Sequence, residues 1–249
     1  MDAKSEAHYS YAFYLGSGIY QVNDQKAAIF NIPFTHMFVN DDEEIFTLRF
    51  PLSIGLFGFD KDSIKDLDIP SRADTVSLAL GAEKTWISDN DWTLTPYADA
   101  GYTWSDTTDQ KALLYSIGAR LNKHFVAFER MHLWGNRLFM AGHKDLGLDT
   151  QGSFAAWETG IDWELPWHFN IGPAQFNTHA YGAAYWYLIP VKFFGREEEE
   201  KVKYSVEAGL SVSSPLLSND LWIPIDRLGL GVRAGDGIYA LKFVMGMPF

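Results

Sequence analysis

Charged side chains recur at every second position of several segments, which places them on one face of a strand. Glu158 and Asp162, for example, alternate with Trp157, Ile161 and Trp163. A shared face with charges of both signs can line a polar pore that selects solutes. It can equally form pairs across an enclosed space, because a buried charge without a partner is costly. The alternation predicts these lumen-facing charges: Arg49, Glu83, Asp99, Arg120, Glu158, Asp162, Glu164, Lys203, Glu207, Arg227, Arg233 and Lys242.

The composition excludes several classes of protein. The 249 residues include no cysteine, so disulfides, thiolate metal sites and a cysteine nucleophile are excluded. A formal net charge of -12 argues against nucleic-acid binding, which needs a basic surface. The acidic runs at 40–44 and 197–200 lack the spacing of a calcium-binding loop. We therefore expect no cofactor, no metal site and no nucleic-acid partner.

The strands that carry these charges are long and amphipathic. In the segment Glu44–Phe59, the apolar residues Phe46, Leu48 and Phe50 share one parity. About twelve such segments can be recognised, most of them about 10–13 residues long, whereas strands of soluble proteins have about 5–6. About 9–11 tilted residues cross a bilayer. The pattern predicts an all-β fold: a closed antiparallel transmembrane β-barrel of about 12 strands. The predicted segments are 9–20, 28–38, 44–59, 76–86, 92–104, 115–121, 132–142, 157–165, 175–189, 202–212, 228–234 and 239–249.

The two faces of these strands differ in a way that predicts which one meets lipid. The polar parity contains many Gly, Ser and Thr residues and the charges, as expected for a crowded interior. The apolar parity contains large side chains, and its aromatic residues often lie near strand ends. Such aromatic residues form girdles at the two membrane interfaces. The predicted girdle comprises Tyr9, Trp86, Trp92, Tyr102, Trp104 and Trp163.

The connections between strands predict how the barrel is oriented. If the chain starts on the periplasmic side, 40–43, 88–91 and 166–173 are short periplasmic turns. The longest connections, 60–74 and 190–201, then face outward. Residues 1–8 form a short periplasmic segment without the apolar core of a signal peptide, and 9–249 form the barrel. We expect a signal peptide to have been removed. The outer loops and outer face predict contact with outer-membrane lipids and lipopolysaccharide.

The C-terminal strand ends in an aromatic residue on the apolar parity. Tyr239, Phe243 and Phe249 share that face with Leu241 and two methionines. This strand resembles the closing strand of Gram-negative outer-membrane β-barrels, whose terminal aromatic residue is the insertion signal read by the barrel assembly machinery. The whole chain resembles autotransporter barrels, in particular the solitary ones that lack a passenger domain. The resemblance implies Tyr239, Phe243 and Phe249 as the insertion signal, and a chain without a passenger.

The sequence favours passive function over catalysis. A lipid hydrolase would need serine, histidine and an acid together at the outer rim. Only His143 lies in a predicted external position, near Asp145 and Ser153, and no G-x-S-x-G motif is present. We expect no catalytic residue and no enzyme. The first hypothesis is a narrow, charge-lined pore for small solutes or ions. The alternatives are a plugged barrel acting as a structural or interaction protein and, second, an outer-membrane lipid hydrolase.

Overall fold

The chain forms a closed antiparallel barrel of twelve strands. The computed structural model describes residues 13–22, 25–39, 43–57, 74–105, 109–147, 150–191, 202–217 and 225–246. This architecture confirms the predicted all-β fold, a closed antiparallel barrel of about 12 strands. The strands are β1 Gly18–Val22, β2 Gln25–Val39, β3 Glu44–Phe57, β4 Thr75–Ile87, β5 Trp92–Ser105, β6 Gln110–Ala127, β7 Arg130–Asp145, β8 Gln151–Ile171, β9 Ala174–Val191, β10 Val202–Ser213, β11 Arg227–Gly235 and β12 Ile238–Met245.

Each strand pairs with the next one along the chain, and β12 closes the barrel on β1. The closing register runs from Gly18 opposite Lys242 to Val22 opposite Ile238. Closure removes the unpaired sheet edges that would otherwise leave backbone groups unsatisfied in lipid. The end of the barrel at which β1 starts and β12 ends is called the N-terminal rim below, and the opposite end is called the far rim.

The first strand is much shorter than the sequence predicts. Residues 9–20 were expected to form one strand, but the residues from Phe13 to Leu15 form a single helical turn. Gly16 follows with a φ of 78°, a left-handed conformation that side-chain-bearing residues rarely adopt. The strand begins only at Gly18. Gly16 therefore redirects the chain before it joins the wall.

The connection expected at 166–173 is shorter than predicted. β8 continues to Ile171, through Pro166, and a turn at 172–173 leads into β9. The pairing register of β8 and β9 shifts between Glu164 and His168, which accommodates Pro166 at an irregular position. β8 has 21 residues and β9 has 18, so both are longer than the predicted segments 157–165 and 175–189.

Burial separates the two faces of the wall. In β6, the buried residues Ala112, Leu114 and Ser116 alternate with exposed ones such as Leu113 and Ile117. Large hydrophobic side chains such as Leu210 and Val232 stay exposed on the outside of the barrel. The buried set is rich in Ser, Thr and charged groups. Among the described residues, no helix is long and apolar enough to cross a membrane.

The predicted girdle residues differ in their surroundings. Trp86 and Trp104 are exposed, and the Trp86 indole donates to Glu44 Oε1 at 3.0 Å. Trp92 and Tyr102 are half-buried. Trp163 is also half-buried and stacks on His132 with ring centroids 3.9 Å apart. Tyr9 lies outside the described residues.

The predicted insertion signal lies in and beyond the closing strand. Tyr239 and Phe243 belong to β12, and both are exposed. Phe249 lies outside the described residues.

Candidate functional site

A segment of the N-terminal region crosses the lumen. Tyr14 lies before β1, yet its hydroxyl donates to the carbonyl oxygens of Tyr115 at 2.9 Å and Gly142 at 3.0 Å. These carbonyls belong to β6 and β7, on the opposite side of the barrel. The Tyr14 ring also packs edge-on against Phe154 of β8 at 5.5 Å. Residues 13–17, called the lumen segment below, therefore span the interior.

The other side of the lumen segment is anchored to β12 and β2. Lys242 donates from Nζ to the Leu15 carbonyl oxygen and to the Tyr20 hydroxyl, both at 2.7 Å. The Asn31 backbone N–H donates to Ser17 Oγ at 2.9 Å. Leu15 and Ser17 are buried. These contacts hold the segment against the wall from which it emerges.

A cluster of alternating charges lines β3 to β6. Glu83 Oε2 lies 3.4 Å from Arg49 Nη1 and 2.5 Å from Arg120 Nη2. Arg49 Nε is 3.5 Å from Asp99 Oδ1, and the Ser116 hydroxyl donates to Asp99 Oδ2 at 2.7 Å. Two carboxylates are thus held between two guanidinium groups, so the interior charges compensate one another.

Aromatic rings extend this cluster toward β7. The Arg49 guanidinium lies 4.8 Å from the centre of the Tyr97 ring, and that of Arg120 lies 5.8 Å from it. Arg137 forms an ion pair with Glu158, with Nη2 and Oε2 2.7 Å apart. Cation–π contacts of this kind are favourable for an arginine side chain that is partly removed from water.

Glu207 is the centre of a second cluster, on β9 to β11. Its two carboxylate oxygens accept hydrogen bonds from the hydroxyls of Tyr181 and Tyr185, each at 2.9 Å. Arg233 lies 3.6 Å from the centre of the Tyr185 ring and donates to the Tyr187 hydroxyl at 2.8 Å. All five side chains are buried. Tyrosine hydroxyls thus take the place of water around a buried charge.

A third group lies at the N-terminal rim. His179 Nδ1 is 3.0 Å from Asp162 Oδ2, and His179 Nε2 is 2.8 Å from Ser213 Oγ. Arg227 Nη1 lies 2.6 Å from the other Asp162 oxygen. Ser213 ends β10 and Arg227 begins β11, so the group borders the rim rather than the middle of the lumen.

The structure places the predicted lumen charges as follows. Four of them are half-buried: Arg49, Glu83, Arg120 and Glu164. Seven are buried: Asp99, Glu158, Asp162, Glu207, Arg227, Arg233 and Lys242. Lys203 departs from the prediction because it is exposed. The pairing register of β9 and β10 shifts between Val202 and Tyr204, and Val202 is buried instead. The irregularity breaks the alternation on which the Lys203 prediction rested.

His143 and Ser153 do not form the external site considered from the sequence. His143 lies within β7 and is buried, whereas Ser153 lies in β8 and is exposed. The outer-rim lipid hydrolase therefore has no support from this pair. Among the described residues, no group of three or more His, Asp or Glu side chains could hold a metal ion.

Several interior residues were missed by the sequence reasoning. Tyr181, Tyr185 and Tyr187 share the parity of His179 in β9, and Tyr97 shares that of Asp99 in β5. In the sequence, each of these tyrosines stands on the polar parity among Gly, Ala and Thr residues. That position is the feature from which they could have been predicted to face the lumen. Large rings on that face indicate a filled lumen.

Comparison with known proteins identifies the fold. No protein-family profile matches the chain, and no curated protein sequence does. The crystal structure of the β domain of the Bordetella autotransporter BrkA is similar, with a TM-score of 0.57 and 10% sequence identity. The match covers 91% of this chain and 93% of that chain. The chain has an autotransporter β-domain fold. The resemblance to autotransporter barrels that the strand pattern and the closing strand implied is thus confirmed at the level of the fold.

Proposed function

We propose that this protein is a Gram-negative outer-membrane barrel whose lumen is closed, and that it works as a structural or interaction protein. The observation that carries the proposal is the lumen segment, which runs from β1 to hydrogen bonds on β6 and β7. Transport would require a continuous aqueous path past this segment.

The side chains around the segment support the same proposal. Buried rings and ion pairs extend from Tyr97 in β5 to Arg233 in β11. Opening a path through them would separate Glu207 from its tyrosines and Arg137 from Glu158, leaving buried charges unpaired. The filled interior supports a closed barrel over the narrow, charge-lined pore that was the first hypothesis.

The outer face supports the proposed location in a membrane. Exposed large hydrophobic residues lie on most strands, which matches a lipid-facing surface better than an aqueous one. Outer-membrane lipids and lipopolysaccharide are the proposed partners of this face. The barrel assembly machinery is the proposed partner of the C-terminal strand. Replacing Phe249 with alanine should slow assembly in cells without changing the melting of barrels that do assemble.

Conductance in planar bilayers tests the closed state. The refolded protein should show no steady unitary current over a wide range of voltage. Its heat-modifiable migration on gels would show that the silent protein is a folded barrel. Steady, resolvable steps from the wild-type protein would contradict the closed barrel and restore the charge-lined pore.

A further inference from the structure

Ser213, His179 and Asp162 form a continuous hydrogen-bonded chain. An Asp162 carboxylate can only accept a hydrogen bond, so the His179 nitrogen facing it, Nδ1, carries the proton. In a neutral imidazole, Nε2 is then the acceptor, and Ser213 Oγ lies 2.8 Å from it. The serine hydroxyl therefore donates to a ring whose other side is fixed by a carboxylate. This is the arrangement that activates a serine nucleophile.

The other buried histidine with defined ring contacts shows what a purely structural role looks like here. His132 has its ring nitrogens 2.8 Å from the Ala127 carbonyl oxygen and 3.1 Å from the Glu164 backbone nitrogen. Both partners are main-chain atoms, and Trp163 covers the ring. His179 instead joins a hydroxyl to a carboxylate, and both of these belong to side chains.

A buried cation completes the group. Arg227 lies directly opposite Ser213 in the register of β10 and β11. One of its nitrogens, Nη1, pairs with Asp162, while Nε has no hydrogen-bond acceptor among the described residues. Asp226 Oδ2 lies 4.0 Å from Nε, beyond hydrogen-bond distance. A buried N–H donor without an acceptor next to a nucleophile can stabilise a developing oxyanion.

Access to the group is from the N-terminal rim. Ser213 is half-buried, whereas Asp162, His179 and Arg227 are all buried. The nucleophile is thus the most exposed of the four. Within the part of the chain that the structure describes, the side-chain hydrogen bonds that join the lumen segment to the wall lie on Tyr20, Asn31, Tyr115, Gly142 and Lys242, and none of these residues belongs to the group.

We propose that Ser213 and His179 form a hydrolytic site for carboxylic esters with a short acyl group, with Asp162 as the positioning residue. Tyr181, next to His179 on the same face of β9, is buried against Glu207 and limits the depth of the site. A long acyl chain would have to displace that buried pair. The site therefore suits a short acyl group that enters from the aqueous side.

The reaction is balanced with water as the only co-reactant. Ser213 Oγ bonds to the ester carbonyl carbon while its proton passes to His179 Nε2. The carbonyl oxygen becomes negative beside Arg227. When the carbonyl re-forms, the bond to the alcohol oxygen breaks, and His179 returns the proton to the leaving alcohol. A water molecule then attacks the acyl–Ser213 ester by the same steps and releases the carboxylic acid.

Covalent labelling with a fluorophosphonate probe tests the nucleophile without requiring turnover. The folded wild-type protein should be labelled, with the mass shift on the peptide that contains Ser213. Ser213→Ala and His179→Ala should each reduce labelling at least about tenfold. Ser211→Ala is the matched control, because Ser211 lies on the same face of β10 but has no hydrogen bond to His179. That variant should be labelled as the wild type is.

Two further measurements separate catalysis from a structural role. Asp162→Asn should lose labelling, and Asp162→Glu should restore part of it, while both variants keep heat-modifiable migration. Release of p-nitrophenol from p-nitrophenyl butyrate should depend on Ser213 and His179 but not on Ser211. Folded wild-type protein that is not labelled, or labelling that persists in Ser213→Ala, would overturn the proposal. If His179→Ala fails to fold, His179→Gln provides the same comparison.

Discussion

The Tyr14 hydroxyl donates to the carbonyl oxygen of Gly142 at 3.0 Å, across 128 positions of sequence and from one side of the barrel to the other. The same hydroxyl also reaches the Tyr115 carbonyl. Burial raises the pKa of the Tyr14 phenol above its ordinary value, so the hydroxyl stays protonated and keeps donating. The Tyr14 side chain thus joins the lumen segment to β6 and β7 on the opposite side of the barrel.

Replacing Tyr14 should weaken the seating of the lumen segment. Tyr14→Phe removes both hydrogen bonds but keeps the ring contact with Phe154, and Tyr14→Ala removes all three. Two hydrogen bonds contribute about 1–3 kcal/mol, which is roughly 5–150-fold in an equilibrium. Transient openings in planar bilayers should become more frequent in the order wild type, Tyr14→Phe, Tyr14→Ala. Phe128→Ala, in the exposed turn between β6 and β7, is the control. Equal opening frequencies in all four proteins would show that Tyr14 does not hold the segment.

Glu207→Gln should destabilise the barrel. The amide has one acceptor oxygen where the carboxylate has two, so Tyr181 or Tyr185 loses its buried acceptor. An unsatisfied buried hydroxyl costs about 1–3 kcal/mol. The free energy of unfolding in urea, followed by tryptophan fluorescence, should fall by that amount. Glu129→Gln, at an exposed turn position, should leave it unchanged. A stability equal to that of the wild type would mean that the tyrosine hydroxyls find other acceptors.

Gly81→Ala should disturb the cluster of charges on β3 to β6. A Cβ atom at Gly81 would lie 2.0 Å from Asp99 Oδ1 and 2.8 Å from the Ala98 carbonyl oxygen. Asp99 would have to move away from Arg49 and Ser116. Overpacking of this kind costs about 1–3 kcal/mol. The midpoint of urea unfolding should fall, whereas Gly147→Ala, whose nearest atom is 3.7 Å away, should leave it in place. The reverse ranking of the two variants would contradict this account of Gly81.

An arginine on the outer face should report directly on lipid exposure. Leu210 lies within β10 and is exposed. An arginine facing lipid near the bilayer midplane costs about 2–4 kcal/mol. Leu210→Arg should therefore lower the free energy of unfolding in lipid vesicles by that range. Leu216→Arg, beyond the end of β10, should have little effect. A tolerated arginine at position 210 would place that surface in water.

The strands could be predicted from the sequence because alternate residues face lipid and lumen. The lipid side favours apolar side chains and the lumen side favours polar ones. Each of the twelve strands contains residues of one predicted segment. The predictions of strand bounds and side-chain direction are wrong where a local backbone conformation interrupts the alternation. Gly16 turns the chain into the lumen, and Lys203 lies at an irregularity of pairing. β6 and β7 meet at Phe128 and Glu129, both with positive φ, although neither is a typical turn residue. In the sequence from 123 to 152, apolar and polar residues do not keep a regular alternation, so the faces of these strands cannot be assigned by parity.

The candidate site was only partly predictable for a different reason. Asp162 and Arg227 were predicted to face the lumen, because strand parity fixes the direction of a side chain. Parity does not fix which residues on neighbouring strands come together, since that depends on register. His179 meets Ser213 and Asp162 only through the pairing of β8, β9 and β10. A serine at the end of a strand carries no motif that would single it out.

The short first strand makes the wall uneven in strength. β1 has five residues, so the junction that closes the barrel rests on the pairs from Gly18–Lys242 to Val22–Ile238. The junction of β6 and β7 extends from Ala112–Asp145 to Ala127–Arg130. The junction of β1 and β12 is therefore weaker than the junction of β6 and β7. We expect it to separate first when denaturant or lateral tension is increased. Once it parts, β1 and β12 become free edges, each offering unpaired backbone to another strand.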